Sequence, residues 1–253
     1  MIDKTAIIDP KAKLDKNVQV GAYCVIGPNV EIGENTVIQS HVNISGNVKI
    51  GKGNKIYPFV SINDPQDLKY DGEKTFTKIG NNTTIREYVT INKGTSDLGR
   101  TEIGSNVLLM ASTHVAHDCL VGDNVIMCNL ATLGGHVQIG NWAILGGGVL
   151  VHQFTQIGEH SLIGGGFRAV QDVPPFIIAA NHPLEYKGVN IVGLKRRGFS
   201  KKDIDSIKKV YRGFFRSGGN RKIAIEKIES EFPKTKAIQK ILDFIKHSNR
   251  GII

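Results

Sequence analysis

The sequence has few of the residues that carry covalent cross-links, and it lacks any long apolar run. Its three cysteines, Cys24, Cys119 and Cys128, are odd in number and show no CxxC spacing. This usage argues against a disulfide framework and predicts reduced thiols in a cytoplasmic protein. No apolar stretch approaches the roughly 20 residues of a membrane-spanning helix, and acidic residues interrupt the start where a secretory signal needs a continuous apolar segment. We therefore expect no integral membrane segment.

A net excess of positive charge is absent from most of the chain and is found only at its end. Residues 1–189 contain 15 Lys or Arg and 17 Asp or Glu, so their net charge is −2, whereas the whole chain of 253 residues has a net charge of +9. Residues 190–253 therefore have a net charge of +11. This asymmetry predicts two domains, 1–189 and 190–253, and favours an acidic partner for the second rather than nucleic acid.

An aliphatic residue recurs every six positions through the first domain. Glycine often follows it, and a small or β-branched residue often lies two positions before it. A period of six fits neither a helix nor a simple strand, but it fits a short strand plus a turn, and three such units close a coil of 18 residues. One of the two longest runs reads Ile103, Leu109, Val115, Val121, Met127, Leu133, Ile139, Leu145, Val151, Ile157 and Ile163.

This pattern predicts a mainly β fold, a left-handed parallel β-helix of hexapeptide repeats. Two interruptions predict loops that leave the helix, near residues 63–78 and near 93–102. After residue 190 the period becomes helical: Ser200 and Asp203 form a capping-box-like start, and apolar stripes predict three helices. We therefore expect a small C-terminal α-helical domain.

Residues with chemical potential stack at one corner of the predicted coil. Positions 18 residues apart lie about 4.8 Å from each other on neighbouring coils, so His117 lies next to Gly135, and Asp118 next to His136. A histidine with an orienting acid can act as a general base, and a backbone N–H left open by glycine can stabilise an oxyanion. Cys119 occupies an inward-facing slot, and no G-x-S-x-G nucleophile motif is present. The set therefore favours acyl transfer by direct attack of the acceptor.

Several strings resemble the acyl-carrier-protein–UDP-N-acetylglucosamine O-acyltransferase family, which begins lipid A synthesis. The resemblance spans essentially the whole chain and includes the order of the motifs. The strings are HVAHDC (114–119), GGHV (134–137), VHQF (151–154), QDVPP (171–175), GLKRRGF (193–199) and, matching the acceptor loop of the family, QDLKY (66–70).

The resemblance implies a homotrimer with active sites between adjacent β-helices, and it implies neither a cofactor nor a metal. His117 would be the general base that deprotonates the glucosamine 3-hydroxyl, Asp118 would orient its imidazole, and the Gly135 amide would face the oxyanion of the thioester. The basic helices would bind the acidic face of acyl carrier protein. The substrate-binding residues implied by the resemblance are Asp67 and Lys69 for the sugar and a phosphate, His114, His136, His152 and Gln153 for the donor and nucleotide groove, Gly165 as the acyl-chain ruler, and Asn190, Arg196 and Arg197 for the acyl or uridine-diphosphate portions.

The chain departs from the family at two places. Val192 stands where the best-known members have a glutamate near the ribose, and Phe167 and Arg168 replace smaller residues close to Gly165. The length of the acyl chain therefore stays open.

Three alternatives remain at this stage. One is a trimeric β-helix zinc hydratase that uses His117, His136 and His152 as ligands. Another is a non-catalytic solenoid scaffold, in which His117 is dispensable. The third is a related sugar N-acyltransferase with a 3-amino acceptor.

Overall fold

A computed structural model describes residues 1–66, 68–216 and 221–253 of the chain. It is a left-handed parallel β-helix followed by a small α-helical region, so the predicted fold class is confirmed. Each hexapeptide forms a short strand and a turn, and three strands complete a coil. Residues 18 apart pair in register, as Ile26 does with Ile44 and Ile44 with Ile62.

The strands form three sheets, numbered here in the order in which the chain visits them. Sheet 1 contains β1 (Ile7–Ile8), β4 (Val25–Ile26), β7 (Asn43–Ile44), β10 (Ser61–Asp64), β13 (Thr90–Asn92), β16 (His114–Val115), β19 (Thr132–Leu133), β22 (Leu150–Val151) and β25 (Arg168–Ala169). Sheet 2 contains β2 (Lys13–Leu14), β5 (Val30–Ile32), β8 (Val48–Ile50), β11 (Phe76–Ile79), β14 (Arg100–Ile103), β17 (Leu120–Val121), β20 (Gln138–Ile139) and β23 (Gln156–Ile157). Sheet 3 contains β3 (Gln19–Val20), β6 (Val37–Ile38), β9 (Lys55–Ile56), β12 (Thr84–Ile85), β15 (Leu108–Leu109), β18 (Ile126–Met127), β21 (Ile144–Leu145), β24 (Leu162–Ile163), β26 (Ile177–Ala180) and β27 (Glu185–Val189).

The aliphatic residues of the six-residue period fill the interior of the β-helix. Ile44, Ile62 and Leu109 are buried, and together with the small residues two positions earlier they form one continuous core. The turns require left-handed backbone, which asparagine tolerates better than most residues. Asn17 and Asn35 adopt φ of 59° and 60°, and their side-chain amides hydrogen-bond at 3.1 Å between coils.

Three corners join the sheets, and we number them by the sheets they connect. The first corner joins sheet 1 to sheet 2, the second joins sheet 2 to sheet 3, and the third joins sheet 3 to sheet 1. Two long connections, residues 65–75 between β10 and β11 and residues 93–99 between β13 and β14, both leave at the first corner. Strand pairing extends to Asp64 and resumes at Phe76 and Arg100, so both connections are shorter than the loops predicted near 63–78 and 93–102.

The chain leaves the β-helix through an antiparallel pairing of β26 with β27 and continues into four helices in the part that the structure describes. The helices are α1 (Ile191–Arg196), α2 (Lys201–Arg216), α3 (Arg221–Glu231) and α4 (Lys236–His247). Ser200 and Asp203 form a cap at the start of α2: Ser200 Oγ accepts a hydrogen bond from the Asp203 backbone N–H at 3.1 Å and donates to the Asp203 carboxylate at 2.6 Å. The sequence pattern does not predict the hairpin or α1, because elements this short show no hydrophobic period of their own.

Two buried polar contacts join the helical region to the end of the β-helix. Tyr211 of α2 is fully buried, and its hydroxyl donates to the Pro175 carbonyl at 2.6 Å. The hydroxyl of Ser248 donates to the buried Asp172 carboxylate at 2.7 Å, directly after α4. None of the helices in the described ranges is long and apolar enough to cross a membrane.

Candidate active site

A histidine and an aspartate form a hydrogen-bonded pair at the first corner. His117 and Asp118 lie in the turn between β16 and β17, and His117 Nδ1 lies 2.9 Å from Asp118 Oδ2. A carboxylate oxygen can only accept, so Nδ1 of the ring carries the proton and Nε2 is the basic nitrogen. The His117 side chain is 25% exposed, whereas that of Asp118 is fully buried. This arrangement presents a correctly oriented basic nitrogen to the surface.

The loop 93–99 holds the Asp118 carboxylate in place. The Thr95 backbone N–H donates to Oδ1 at 2.9 Å, and the Thr95 hydroxyl donates to Oδ2 at 2.6 Å. The Asp118 backbone N–H in turn donates to the Thr101 hydroxyl at 2.9 Å. A buried carboxylate is costly unless it is hydrogen-bonded, and these contacts satisfy both of its oxygens.

The ring of His117 lies against the backbone of Gly135 on the next coil. A Cβ atom at position 135 would lie 2.6 Å from both Cε1 and Nε2 of the ring, so only glycine leaves room for it. Within residues 1–66, 68–216 and 221–253, no acceptor bonds the Gly135 N–H. The same glycine therefore provides space for the base and leaves a backbone donor beside it, which is a suitable partner for an oxyanion.

His136 directly follows Gly135 on the same coil and lies next to Asp118 of the preceding coil. Its Nε2 lies 3.6 Å from Oδ2 of Asp118 and 3.6 Å from Oδ2 of Asp97, an exposed residue of loop 93–99. Its ring stacks on Phe154 with centroids 4.5 Å apart and meets the His117 ring edge-on at 5.2 Å. The position of His136 is therefore fixed from three sides.

His114 lies on β16, the strand that directly precedes the turn with His117 and Asp118. Its Nδ1 lies 2.7 Å from the Thr90 hydroxyl, and its Nε2 lies 3.4 Å from the Gln66 amide nitrogen. Burial, and then the neighbouring His117, lower its pKa below the usual 6.5. His114 is consequently neutral near pH 7, and its contact with Gln66 connects β16 to the loop 65–75.

The remaining residues predicted for the first corner differ in how they are placed. His152 Nδ1 lies 3.1 Å from the carbonyl oxygen of Gln153, and Gln153 is exposed. Lys69 is exposed in the loop 65–75. Asp67 lies outside the described residues.

Other predicted residues lie at different corners of the β-helix. Gly165 is in the third corner, after β24. Arg197 is near the second corner, where its guanidinium lies 5.3 Å from the Trp142 ring centroid and 3.4 Å from His160 Nδ1. Asn190 is 3% exposed and acts as the N-cap of α1, and Arg196 is exposed in the last turn of that helix. A single chain therefore does not bring these residues to His117.

Three side chains at the first corner could also supply metal ligands. His117, Asp118 and His136 offer donor atoms that lie within 4.8 Å of one another. The set differs from the three histidines of the hydratase alternative, because Asp118 replaces His152. The Asp118 Oδ2 atom already accepts hydrogen bonds from Thr95 and His117, so the carboxylate is satisfied by protein donors.

A concave surface of about 510 Å³ lies elsewhere, between the outer face of sheet 2 and α4. Leu120, Gln138 and Phe244 are among the residues that line it. None of the predicted site residues does so.

Three further residues are not evident from the sequence pattern: Thr95 and Thr101 bond to Asp118, and Lys93 contacts Tyr70 and Glu73 in the loop 65–75. Lys93 and Thr95 lie in a loop whose contacts do not follow the 18-residue spacing. Thr101 follows that loop, 17 residues before Asp118, so the spacing did not pair the two either. The available signal was the interruption of the repeat itself, with Gly94 and Gly99 flanking Asp97 in an aliphatic slot.

Comparisons with known proteins cover the entire chain. A family model described as UDP N-acetylglucosamine O-acyltransferase, domain 2, matches residues 172–253, and the bacterial transferase hexapeptide model matches residues 11–46, 29–64 and 100–135. The chain is 49% identical to an acyl-[acyl-carrier-protein]–UDP-N-acetylglucosamine O-acyltransferase of Janthinobacterium sp. (strain Marseille), over 100% of this chain and 99% of the relative. It is 50% identical to the enzyme of that name in Thermodesulfovibrio yellowstonii, over 99% and 98%. The solved structure of a UDP-N-acetylglucosamine acyltransferase from Bacteroides fragilis superposes with a TM-score of 0.97, at 45% identity and 100% coverage of both chains.

Proposed function

The chain belongs to the acyl-[acyl-carrier-protein]–UDP-N-acetylglucosamine O-acyltransferase family, and we propose that His117, Asp118 and Gly135 carry out its reaction. The protein is an acyltransferase of the first step of lipid A biosynthesis. The observation that supports these residue roles is the His117–Asp118 hydrogen bond of 2.9 Å, with the ring against the Gly135 backbone.

The chemical step follows from this geometry. Nε2 of His117 accepts the proton of the glucosamine 3-hydroxyl as that oxygen attacks the thioester carbonyl of the 3-hydroxyacyl carrier. A C–O bond forms, and the carbonyl electron pair moves to an oxyanion that accepts a hydrogen bond from the Gly135 N–H. The intermediate then collapses, the C–S bond breaks, and the imidazolium returns its proton to the leaving thiolate of the carrier. Asp118 stabilises the imidazolium between the two proton transfers.

We infer that the complete site includes a second copy of the chain, in a homotrimer. Gly165 and Arg197 lie at the third and second corners, away from His117 at the first, so only another copy can bring them beside it. Asn190 then contributes by supporting α1, since its side chain accepts from the Gly193 N–H at 3.1 Å and donates to the His160 carbonyl at 3.0 Å. Arg196 is exposed at the end of that helix, where its guanidinium suits a diphosphate.

The helical region is the proposed docking surface for acyl carrier protein. Its net charge of +11 complements an acidic carrier, whereas residues 1–189 are nearly neutral. The three cysteines are unpaired, which fits a reducing cytoplasm.

The alternatives are not favoured. The curated relatives that match over the full chain are named as O-acyltransferases, which argues against both a 3-amino acceptor and a zinc hydratase. A scaffold without activity would not need the buried support of Asp118 by Thr95.

Mass spectrometry of the products tests the function directly. UDP-N-acetylglucosamine is offered a ladder of 3-hydroxyacyl carriers with increasing chain lengths, and we expect one ester-linked 3-O-acyl product per accepted carrier. His117→Ala should abolish product formation while leaving the melting temperature nearly unchanged. An amide-linked product, or substantial turnover by His117→Ala, would contradict the proposal.

A further inference from the structure

We propose that the short segment Lys93–Thr95 positions both halves of the active site, with Thr95 acting on the catalytic carboxylate and Lys93 on the acceptor loop. This inference rests on the proposed function. Lys93 and Thr95 are two residues apart, directly after β13, and their side chains contact different partners. One rigid segment therefore relates the position of the base to that of the bound sugar.

Thr95 orients Asp118 through two separate donors. Its N–H and hydroxyl bond to different oxygens of the carboxylate, at 2.9 and 2.6 Å, which fixes the rotation of the group. The hydroxyl itself is oriented because it accepts a hydrogen bond from the Asp97 N–H at 3.3 Å. Since Asp118 in turn sets the direction of the His117 ring, loss of the Thr95 hydroxyl should misplace the base.

The Lys93 side chain contacts two residues of the loop 65–75. Lys93 is a buried residue. Its ammonium donates to the Tyr70 hydroxyl at 3.3 Å and to the Glu73 carbonyl at 3.1 Å, and it lies 4.6 Å from the Tyr70 ring centroid. The Lys93 N–H also donates to the carbonyl of Asp64, the last residue of β10. These contacts attach both ends of the loop that carries Lys69 to one buried side chain and its backbone.

The segment between these two residues has little freedom to move. A Cβ at Gly94 would overlap the backbone nitrogen of Arg100, so the chain packs tightly against the start of β14. The Gly99 N–H donates to the Thr95 carbonyl at 2.7 Å and closes the loop. A displacement at one end of the segment is consequently transmitted to the other.

The two contacts predict different kinetic effects, which a purely structural role would not separate. Thr95→Val keeps the shape and the backbone donor but removes the hydroxyl, so kcat should fall about tenfold while KM for UDP-N-acetylglucosamine stays within about twofold. Lys93→Met keeps the length but removes the charge, so that KM should rise about tenfold with a smaller change in kcat. Thr95→Ser and Lys93→Arg should restore most of the lost kcat and KM, respectively.

Matched controls separate these effects from a general loss of stability. Thr36→Val removes a buried hydroxyl at the second corner that bonds to two backbone groups, the Asn54 N–H and the Gly51 carbonyl. Lys78→Met removes an exposed ammonium from the face of sheet 2. Neither control should change kcat or KM by more than about twofold.

The result that would overturn the proposal is wild-type kinetics in Thr95→Val and Lys93→Met, or equal loss in kcat and KM in both. If either variant unfolds below the assay temperature, Thr95→Ala and Lys93→Gln provide the same comparison. An inactive wild-type protein would instead contradict the proposed function, so the two failures are distinguishable.

Discussion

The Nδ1 atom of His117 lies 2.9 Å from Oδ2 of Asp118, although the two residues are adjacent in the chain. Neighbouring side chains in an extended strand point to opposite faces. Here Asp118 adopts φ of 59°, and the left-handed turn returns its carboxylate to the side of the preceding ring. The turn of the hexapeptide repeat thus creates the pair.

Asp118→Asn should lower kcat by about 10²- to 10⁴-fold with little change in KM, because an amide no longer fixes the tautomer and orientation of His117. Steady-state kinetics on the purified protein measure this effect. Asp97→Asn is the matched control, since its exposed carboxylate lies 3.6 Å from His136, and we expect at most a small decrease. Equal losses in the two variants would contradict the assigned role of Asp118.

Gly135→Ala should lower kcat at least about tenfold, because its Cβ would lie 2.6 Å from two atoms of the His117 ring and displace it. Gly213→Ala is the control, as nothing lies within 4 Å of the added atom in α2. That variant should keep full activity and gain about 0.5–1 kcal/mol of stability. Normal turnover by Gly135→Ala would remove this glycine from the mechanism.

Gly165→Met should shift selectivity toward shorter acyl chains. A Cβ added at Gly165 would lie 3.1 Å from the Gly147 carbonyl oxygen. A longer side chain would extend into the space proposed for the end of the acyl chain. Competition between carriers of different length, followed by mass spectrometry, measures the preference. An unchanged preference would place the chain terminus elsewhere.

His160 should make the protein less stable in mild acid. Burial, and then the nearby Arg197 and Lys240, lower its pKa from 6.5 to about 4. The unfolded chain therefore binds a proton below about pH 6.5 that the folded chain refuses, and stability present above pH 6.5 is lost as the pH falls toward 4. Urea denaturation at pH 7 and pH 4.5 should show a loss of about 2 kcal/mol that is absent in His160→Gln. The exposed His247 provides the control His247→Gln, which should behave as the wild type.

Binding of acyl carrier protein should weaken steeply with salt. Exposed charges are screened over about 8 Å at physiological ionic strength, so KM for the acyl carrier should rise with NaCl while KM for the sugar nucleotide changes less. Lys201→Glu combined with Lys202→Glu in α2 should raise KM for the acyl carrier. Lys4→Glu combined with Lys11→Glu, in the first coil, should not. A salt-independent KM for the carrier would argue against this docking surface.

The sequence predicted the β-helix well because every coil repeats the same constraint. Ile26 and Ile44 are buried and paired because each occupies the inward-facing position of its six-residue repeat, which favours an aliphatic side chain. The contact of His117 with Gly135 was equally accessible, since it depends on the same 18-residue spacing.

Other features could not be predicted because they do not repeat. Thr95 reaches Asp118 from a loop, 23 residues away in the chain, and no period relates the two positions. Helix α1 has only six residues and is stabilised by Asn190 rather than by an apolar stripe. Asp97 falls in an aliphatic slot by counting, but the structure leaves it exposed near His136.

The antiparallel pairing of β27 with β26 also changes the edge at which sheet 3 of the β-helix ends. A parallel coil ends in open strand edges that could accept another coil, from the same chain or from a second molecule. Reversing the last strand of sheet 3, and holding α2 near it through Tyr211, removes the template for a further parallel coil. The same hairpin that starts the helical region thus covers the edge of sheet 3 at which a further parallel coil would pair.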